Sequence, residues 1–279
     1  MTNWSDRIAT VLMWLTALLI TSVFMWIITD LLRQGMTHLS WEFLVTEPSD
    51  AGRSGGIGPI LISTLLILGV CLITSIPIGI PTAILLAEFS RSGSLFGRWI
   101  RGSLDVLAGV PSIVFGLFGN AFFCLYLGMG FSILSGGLTL SCMVLPLLIR
   151  STEEGLRSVP NDYRQAAAAL GISEAATLWR IILPAATPGL IVGLILSISR
   201  ALAETAALLF TSGYADRMPQ SLMDSGRSLS IHIYDLAMNV PGGEAQAYAT
   251  AMVLIALLLI INLTTSWAST RWLHGRISL

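Results

Sequence analysis

Residues 159–189 read "VPNDYRQAAAALGISEAATLWRIILPAATPG" and lie between two long apolar runs. Asn161 or Asp162 can cap a helix through the alanine-rich "YRQAAAAL", because their side chains accept hydrogen bonds from the free N–H groups of a first turn. Gly171 can end that helix, since glycine readily adopts the left-handed conformation that terminates helices. The first half of the stretch therefore predicts a short helix that stops at Gly171.

The second half of the stretch predicts another short helix. Ser173 can cap "EAATLWRII", and that helix is expected to stop at Pro184 because proline removes a backbone donor. The segment therefore reads as two helices hinged at Gly171. Its run of alanines leaves a smooth face that lets another backbone approach closely.

The composition around this segment is that of an integral membrane protein. The chain has 279 residues, of which 54% are hydrophobic and 11% charged, and its mean hydropathy is +0.79. Soluble domains have about 25% charged residues. The net charge of −1 gives no argument for a nucleic-acid partner. All 15 basic residues are arginine, which excludes a P-loop because that motif needs a lysine. Any ATP must therefore be bound by another chain.

Six apolar runs have the length of membrane-crossing helices, at about 20 residues per crossing. They cover approximately residues 8–32, 57–87, 104–127, 131–149, 185–210 and 247–269. The runs are continuously apolar rather than alternating, which argues against strands. The sequence predicts an all-α, polytopic protein in which residues 1–279 form a single transmembrane domain. The first run is too long for a signal peptide and is read as an uncleaved anchor.

Arginines in the loops predict the orientation of the six helices. Ten lie in the N-terminus, in 88–103, in 150–184 (hereafter the coupling loop) and in the C-terminus; four lie in the other loops, including 33–56 and 211–246. The first set consists of Arg7, Arg91, Arg98, Arg101, Arg150, Arg157, Arg164, Arg180, Arg271 and Arg276. Because cytoplasmic loops carry the excess of basic residues, both termini are expected in the cytoplasm.

Two of the runs contain helix breakers. Pro77 and Pro81 fall in "SIPIGIPTA", and "AGVPSIVFGLFG" (108–119) places Pro111 among three glycines. Both segments are expected to be broken or bent. Such backbone is tolerated inside a bilayer where protein or a water-filled cavity covers it. Kinking in a packed bundle and lining of a pathway are both open readings.

The coupling loop resembles the cytoplasmic loop of bacterial ABC importer permeases, which has the form E-A-A-x3-G-x9-I-x-L-P. The matching positions are Gln165, Ala166, Ala167, Gly171, Ile181, Leu183 and Pro184. Gln165 stands where that pattern has Glu and keeps the length of that side chain without its charge. The resemblance implies that these residues form the coupling helix, which docks in a groove on the ATPase subunit.

Nearly the whole chain resembles the A-type permease subunit of bacterial phosphate importers. The residues that carry the resemblance are "GGIGPILIST", "PIGIPTAILLAEF", "AGVPSIVFGLFG" and "SRALAETAALLFT". Ala203 and Ala207 depart from the usual Gly and Pro of the last block. The resemblance implies a type I ABC importer permease fold in the bacterial inner membrane. The three histidines fall in separate polar segments and give no metal-ligand pattern, and no catalytic group or cofactor is expected. The resemblance also implies a homologous second permease, two copies of a cytoplasmic ATPase and a periplasmic phosphate-binding protein as partners.

The stretch "SISRALAETAALLF" (197–210) places two charges inside the fifth run. Each costs roughly 2.5–3.5 kcal/mol to insert near a helix centre. Arg200 and Glu204 are four residues apart and can pair on one helix face, with Ser197 and Thr205 adding polar groups beside them. The alternative is a structural ion pair; the reading that we favour is a translocation pathway lined by all four residues, in which Arg200 meets an oxyanion and Glu204 competes for its guanidinium.

Other charged positions have simpler interpretations. Asp105 is expected near arginines at the membrane interface, and Arg150 is likewise interfacial. Glu153 and Glu154, in the coupling loop, are expected to be solvated or to contact the ATPase. In the outer loop, "SIHIYDLAM" is expected to be a short helix on the membrane surface.

Three other functions compete with phosphate import. An ABC permease for another oxyanion, such as molybdate, sulfate or phosphonate, would show the same loop. A secondary transporter would not need the coupling loop and would carry more ionisable residues within its spans. A membrane-embedded enzyme would need a cluster such as HExxH, which the sequence lacks, or GxSxG, whose single match, residues 52–56, lies in the loop between the first two apolar runs.

Overall fold

The computed structural model describes residues 4–90 and 94–277, so Arg91 of the orientation argument lies outside the described residues. The helices are α1 (Trp4–Met36), α2 (Trp41–Val45), α3 (Gly58–Ile84), α4 (Leu95–Gly109), α5 (Ser112–Gly119), α6 (Ile133–Arg157), α7 (Asn161–Ala169), α8 (Glu174–Thr177), α9 (Leu183–Leu202), α10 (Ala206–Leu209), α11 (Leu229–Met238) and α12 (Glu244–Ile277). Turns of π-helix follow α3, α5 and α8 at Leu85–Phe89, Asn120–Tyr126 and Leu178–Ile182. An antiparallel hairpin pairs β1 (Pro48–Ser49) with β2 (Ser54–Gly55).

Within the described residues, five helical stretches are long and apolar enough to cross a membrane. These are Asp6–Met36, Gly58–Phe89, Ile133–Arg157, Glu174–Leu202 and Glu244–Trp267. A sixth candidate crossing is a bent pair, Leu95–Gly109 and Ser112–Tyr126, whose two parts meet at 101° and form either a broken span or a re-entrant segment. The predicted all-α polytopic fold is confirmed.

The bend in the sixth crossing has a local cause. Val110, which precedes Pro111, is extended (φ −72°, ψ 129°) because the proline ring disfavours the helical conformation of the residue before it. The break predicted at this proline is therefore present, although α4 starts at Leu95, nine residues before the predicted crossing 104–127. In contrast, α3 continues through Pro77 and Pro81, so no break occurs there.

The core is built where α3, α6 and α9 meet. Its buried side chains come mainly from these three helices and include Ile67, Leu140, Val144 and Ile198. Glycines allow close packing: a Cβ on Gly155 of α6 would lie 2.9 Å from the Cα of its α9 neighbour. In a membrane, small residues of this kind permit the van der Waals contact that holds helices together.

The fifth crossing differs from its predicted bounds at both ends. Pro184 does not stop the second helix of the coupling loop, because the π turn Leu178–Ile182 joins α8 to α9 without a break. Such local π adjustments accommodate the donor that proline lacks. At the other end α9 stops at Leu202, so the predicted span 185–210 is not one continuous helix.

The outer loop folds into the protein. The apolar stretch that begins at Leu229 forms helix α11, as expected, but it is not a surface helix: Ile231, His232 and Leu236 are buried against neighbouring helices. The N–H of Leu229 donates to the Oγ1 of Thr64 in α3 at 2.9 Å. This contact with α3 holds the start of α11 inside the fold.

Candidate functional site

A cavity of about 300 Å³ lies inside the bend between α4 and α5, where α6 and α9 form its other walls. It is lined by Leu107, Ala108, Val110, Phe115, Met143, Pro146, Leu147, Arg150 and Arg200. The walls are apolar apart from the two arginines. The cavity therefore presents two cationic groups against an apolar lining.

Arg200 lies near the middle of the crossing. The antiparallel helices α6 and α9 are in register, with Gly189 facing Gly155 and Gly193 facing Ser151. Two turns further along this pair, Arg200 reaches the level of Val144, close to the centre of α6. Its side chain is exposed to the cavity, and no hydrogen bond or ion pair to it occurs in the described part of the chain.

The predicted ion pair between Arg200 and Glu204 is not formed. The i, i+4 geometry needs a continuous helix, and α9 ends at Leu202. Glu204 instead turns into the protein, where its residue is 9% exposed. Its Oε1 accepts a hydrogen bond from the N–H of Ala207 at 3.3 Å, and its carbonyl accepts one from the hydroxyl of Ser230 at 2.7 Å. Glu204 thus supports the start of α10, where a negative charge is favourable.

The two polar neighbours of the predicted pathway also lie outside the cavity lining. The buried hydroxyl of Ser197 donates to the carbonyl of Gly193 at 2.8 Å. Thr205 occupies the N-cap position of α10 and is half-buried. Of the four residues predicted for the pathway, Arg200 is the one that lines the cavity.

Arg150 is the cavity residue that sequence reasoning assigned only to the membrane interface. It forms an ion pair with Asp105 of α4, which agrees with the expectation that Asp105 lies near arginines. Met143, Pro146, Leu147 and Arg150 follow the i, i+3, i+4, i+7 spacing of one helix face. That spacing in the sequence indicates one helix face. It does not reveal the cavity, because the helices that form the opposite wall, α4 and α9, are distant in the sequence.

The coupling loop has the predicted hinge. Helix α7 ends before Gly171, whose φ of +71° is in the left-handed region. Ser173 caps α8 by accepting from the N–H of Ala176 at 3.4 Å. The N-cap of α7 is Pro160, so the predicted cap at Asn161 or Asp162 is one or two residues late.

The residues that match the loop pattern differ in their exposure. Gln165, Ala166 and Gly171 are exposed, Ala167 is buried, and the remaining three, Ile181, Leu183 and Pro184, are half-buried in the π turn or at the start of α9. A large apolar side chain lies beside the exposed residues: Leu170, which directly precedes Gly171, is 78% exposed. The loop therefore presents an apolar surface outside the membrane-spanning bundle.

Arg164 attaches α7 to the end of the second crossing. Its Nη2 and Nε donate to the two carboxylate oxygens of Glu88 at 2.5 and 3.0 Å, and the same guanidinium donates to the carbonyls of Val159 and Leu156. The hydrogen bonds with Glu88 raise the pKa of Arg164. A cleft of about 290 Å³ lies beside this pair.

A second arginine cluster lies next to this attachment. Glu153 accepts hydrogen bonds at 3.0 Å from both Arg101 and Arg157, and both arginines also donate to the carbonyl of Leu86. The interpretation of Glu153 as solvated is therefore wrong, because its residue is 7% exposed and doubly paired. Cations at this position also complement the negative end of the helix that contains Leu86.

Comparisons with known proteins agree with this architecture. A family model described as "Binding-protein-dependent transport system inner membrane component" matches residues 79–276. The chain is 31% identical over 281 residues to "Probable ABC transporter permease protein YqgI" of Bacillus subtilis (strain 168), with 95% of each chain covered. It is 35% identical over 267 residues to "Phosphate transport system permease protein PstA" of Mycobacterium leprae (strain TN), which covers 92% of this chain and 86% of that one.

Solved structures share the fold at low sequence identity. A chain of the bacterial alginate ABC transporter, in complex with an alginate pentasaccharide-bound periplasmic protein, superposes with a TM-score of 0.66 at 14% identity and covers 98% of this chain and 99% of that chain. A chain of the inward-facing MetNI methionine ABC transporter gives a TM-score of 0.59 at 18% identity, covering 77% and 93%.

Proposed function

The chain belongs to the family of binding-protein-dependent transport system inner membrane components, the permeases of ABC importers, and we propose that its solute is inorganic phosphate. Relatives that carry the name of phosphate transport permease are 33% to 35% identical to it over most of its length. The chain is a transport subunit, and ATP is hydrolysed by a separate chain. Its partners are a homologous second permease, two copies of a cytoplasmic ATPase and a periplasmic phosphate-binding protein.

The observation that carries the proposal is the unpaired Arg200 in the cavity at the α4–α5 bend. A guanidinium stays protonated at any working pH, and its planar fork matches the geometry of an oxyanion. A cation at mid-crossing without a protein partner is costly, and a passing anion would neutralise it. The apolar walls lower the local dielectric constant and so strengthen that attraction.

The structure supports a pathway in which Arg200 contacts the anion and Glu204 acts indirectly. Glu204 anchors α10 through the N–H of Ala207, whereas Thr205 caps α10 without a side-chain hydrogen bond and Ser197 bonds back to Gly193 within α9. Glu204 therefore stabilises the helix break that follows the arginine. This narrows the role expected from the sequence, in which all four residues line the pathway.

The coupling loop is proposed to dock on the ATPase. The docking surface consists of Gln165, Ala166 and Gly171 with the exposed Leu170, and Ile181, Leu183 and Pro184 join it to α9. Because α9 carries Arg200, a movement of the loop reaches the cavity through one helix. In the proposed orientation, the loop and both termini lie on the cytoplasmic side of the bacterial inner membrane.

Reconstitution tests the solute. The permease pair, ATPase and binding protein are assembled in proteoliposomes, and ATP hydrolysis is measured with phosphate, sulfate or molybdate. Phosphate is expected to stimulate hydrolysis, and the other two anions are not. Equal stimulation by molybdate would move the assignment to another oxyanion, which a guanidinium alone also accommodates.

A further inference from the structure

The cavity contains a second guanidinium whose partner can be exchanged. Arg150 pairs with Asp105, and the side chains of the two residues are 42% and 61% exposed. Arg150 is part of the cavity lining. Asp105 contacts Arg150 from α4 but is not itself part of the lining. An ion pair this exposed contributes little to stability, so its opening costs little.

The two arginines follow one another along the direction of transport. Arg200 is level with Val144 of α6, and Arg150 is six residues further toward the coupling loop. At 1.5 Å per residue this separates their backbone levels by about 9 Å. Pro146 and Leu147 line the wall between them. An anion that leaves Arg200 toward the cytoplasm therefore meets Arg150 next.

We propose that Arg150 is a second anion-binding residue of this pathway, and that the carboxylate of Asp105 occupies it until an inbound anion takes its place. This rests on the proposed function, because the anion is the transported one. A carboxylate and an oxyanion use the same N–H donors of a guanidinium, so one replaces the other without loss of hydrogen bonds. Asp105 returns when the anion leaves, which prevents Arg150 from retaining it.

Two substitutions separate this role from a purely structural ion pair. In proteoliposomes containing all four subunits, Arg150→Gln is expected to lower uptake of inorganic phosphate at least ten-fold. Asp105→Asn leaves Arg150 without its competitor, so phosphate on the ATPase side should inhibit uptake at a concentration at least ten-fold lower than in the unmodified complex. The double variant should lose this added sensitivity. Arg98→Gln, on α4 but outside the cavity lining, is the matched control and should resemble the unmodified complex.

A structural pair would behave differently. The two single variants would then be equally impaired, and the exchanged pair Asp105→Arg with Arg150→Asp would restore uptake; either result overturns the proposal. Co-purification of the ATPase identifies variants that fail to assemble, and the inhibition measurement on Asp105→Asn decides the question if Arg150→Gln does not assemble. If Arg200→Ala abolishes uptake and Arg150→Gln does not reduce it, the second site is wrong and the proposed function stands. If Arg200→Ala transports normally, the proposed pathway itself is wrong.

Discussion

Replacement of Glu88 by glutamine is expected to loosen the coupling loop from the bundle. Both carboxylate oxygens of Glu88 accept from Arg164, at 2.5 and 3.0 Å, and the side chains of the pair are 15% and 26% exposed. Glutamine retains one acceptor oxygen and presents an NH2 group to the other donor. The substitution therefore removes the charge and one of the two hydrogen bonds.

The size of the effect follows from these contacts. A hydrogen bond between charged groups contributes about 1.5–3 kcal/mol, and partial exposure favours the lower part of that range. Arg164 keeps its bonds to the carbonyls of Val159 and Leu156, at 2.9 and 3.2 Å, so α7 stays partly attached. A loss of about 1.5–2 kcal/mol raises the population of the detached loop roughly 10- to 30-fold.

Hydrogen exchange of the backbone amides of α7 measures that population. In the assembled complex, Glu88→Gln should accelerate exchange of the protected amides by about ten-fold or more, because exchange reports the local opening equilibrium. Glu174→Gln is the matched control: Glu174 lines the same cleft but makes no ion pair among the described residues. Unchanged exchange in Glu88→Gln, or equal acceleration in Glu174→Gln, would refute the argument.

Three further predictions concern packing, pH and docking. Gly189→Ala should lower the melting temperature of the purified complex, because its Cβ would lie 2.5 Å from the Cα of Gly155 and overpacking costs about 1–3 kcal/mol; Gly69→Ala, with no atom within 4 Å of the added Cβ, should not. Burial, aided by the charge of a nearby arginine, lowers the pKa of His232 from 6.5 to about 4. The unfolded chain therefore binds the proton at a higher pH than the folded chain does. As a result, the free energy of unfolding falls by about 3 kcal/mol in total as the pH drops between these values. His232→Gln should remove most of that slope in thermal denaturation followed against pH, and an unchanged slope would contradict the assignment. Leu170→Asp should reduce co-purification of the ATPase without lowering the melting temperature, because the side chain is 78% exposed; normal recovery of the ATPase would exclude this surface.

Features set by local chemistry could be predicted from the sequence. Gly171 ends a helix because its left-handed φ is accessible to glycine, and Pro111 breaks the crossing because the residue before it must be extended. Ser173 caps α8 for an equally local reason. The six crossings follow from the length of the apolar runs, and the coupling pattern from residue spacing within one loop.

Features set by contacts between distant segments could not be predicted from the sequence. The end of α9 after Leu202 has no glycine or proline signal, and it depends on Glu204 receiving bonds from α10 and α11. The i, i+4 rule therefore predicted a pair on a helix that does not continue. The burial of Glu153 similarly depends on Arg101, which is 52 residues away in the sequence. Arg150 was assigned to the interface because the cavity exists only once α4, α6 and α9 are packed.

The measurement that tests the central claim most directly is phosphate uptake by the Arg200→Ala complex. The variant is reconstituted with the second permease, the ATPase and the binding protein, and its uptake is compared with that of the unmodified complex at equal protein levels. Because the guanidinium lines the cavity and binds no other side chain in the described structure, its loss should leave assembly intact. We expect ATP-driven phosphate uptake to fall by an order of magnitude or more, and normal uptake by an assembled Arg200→Ala complex would contradict the assignment of this cavity to the anion pathway.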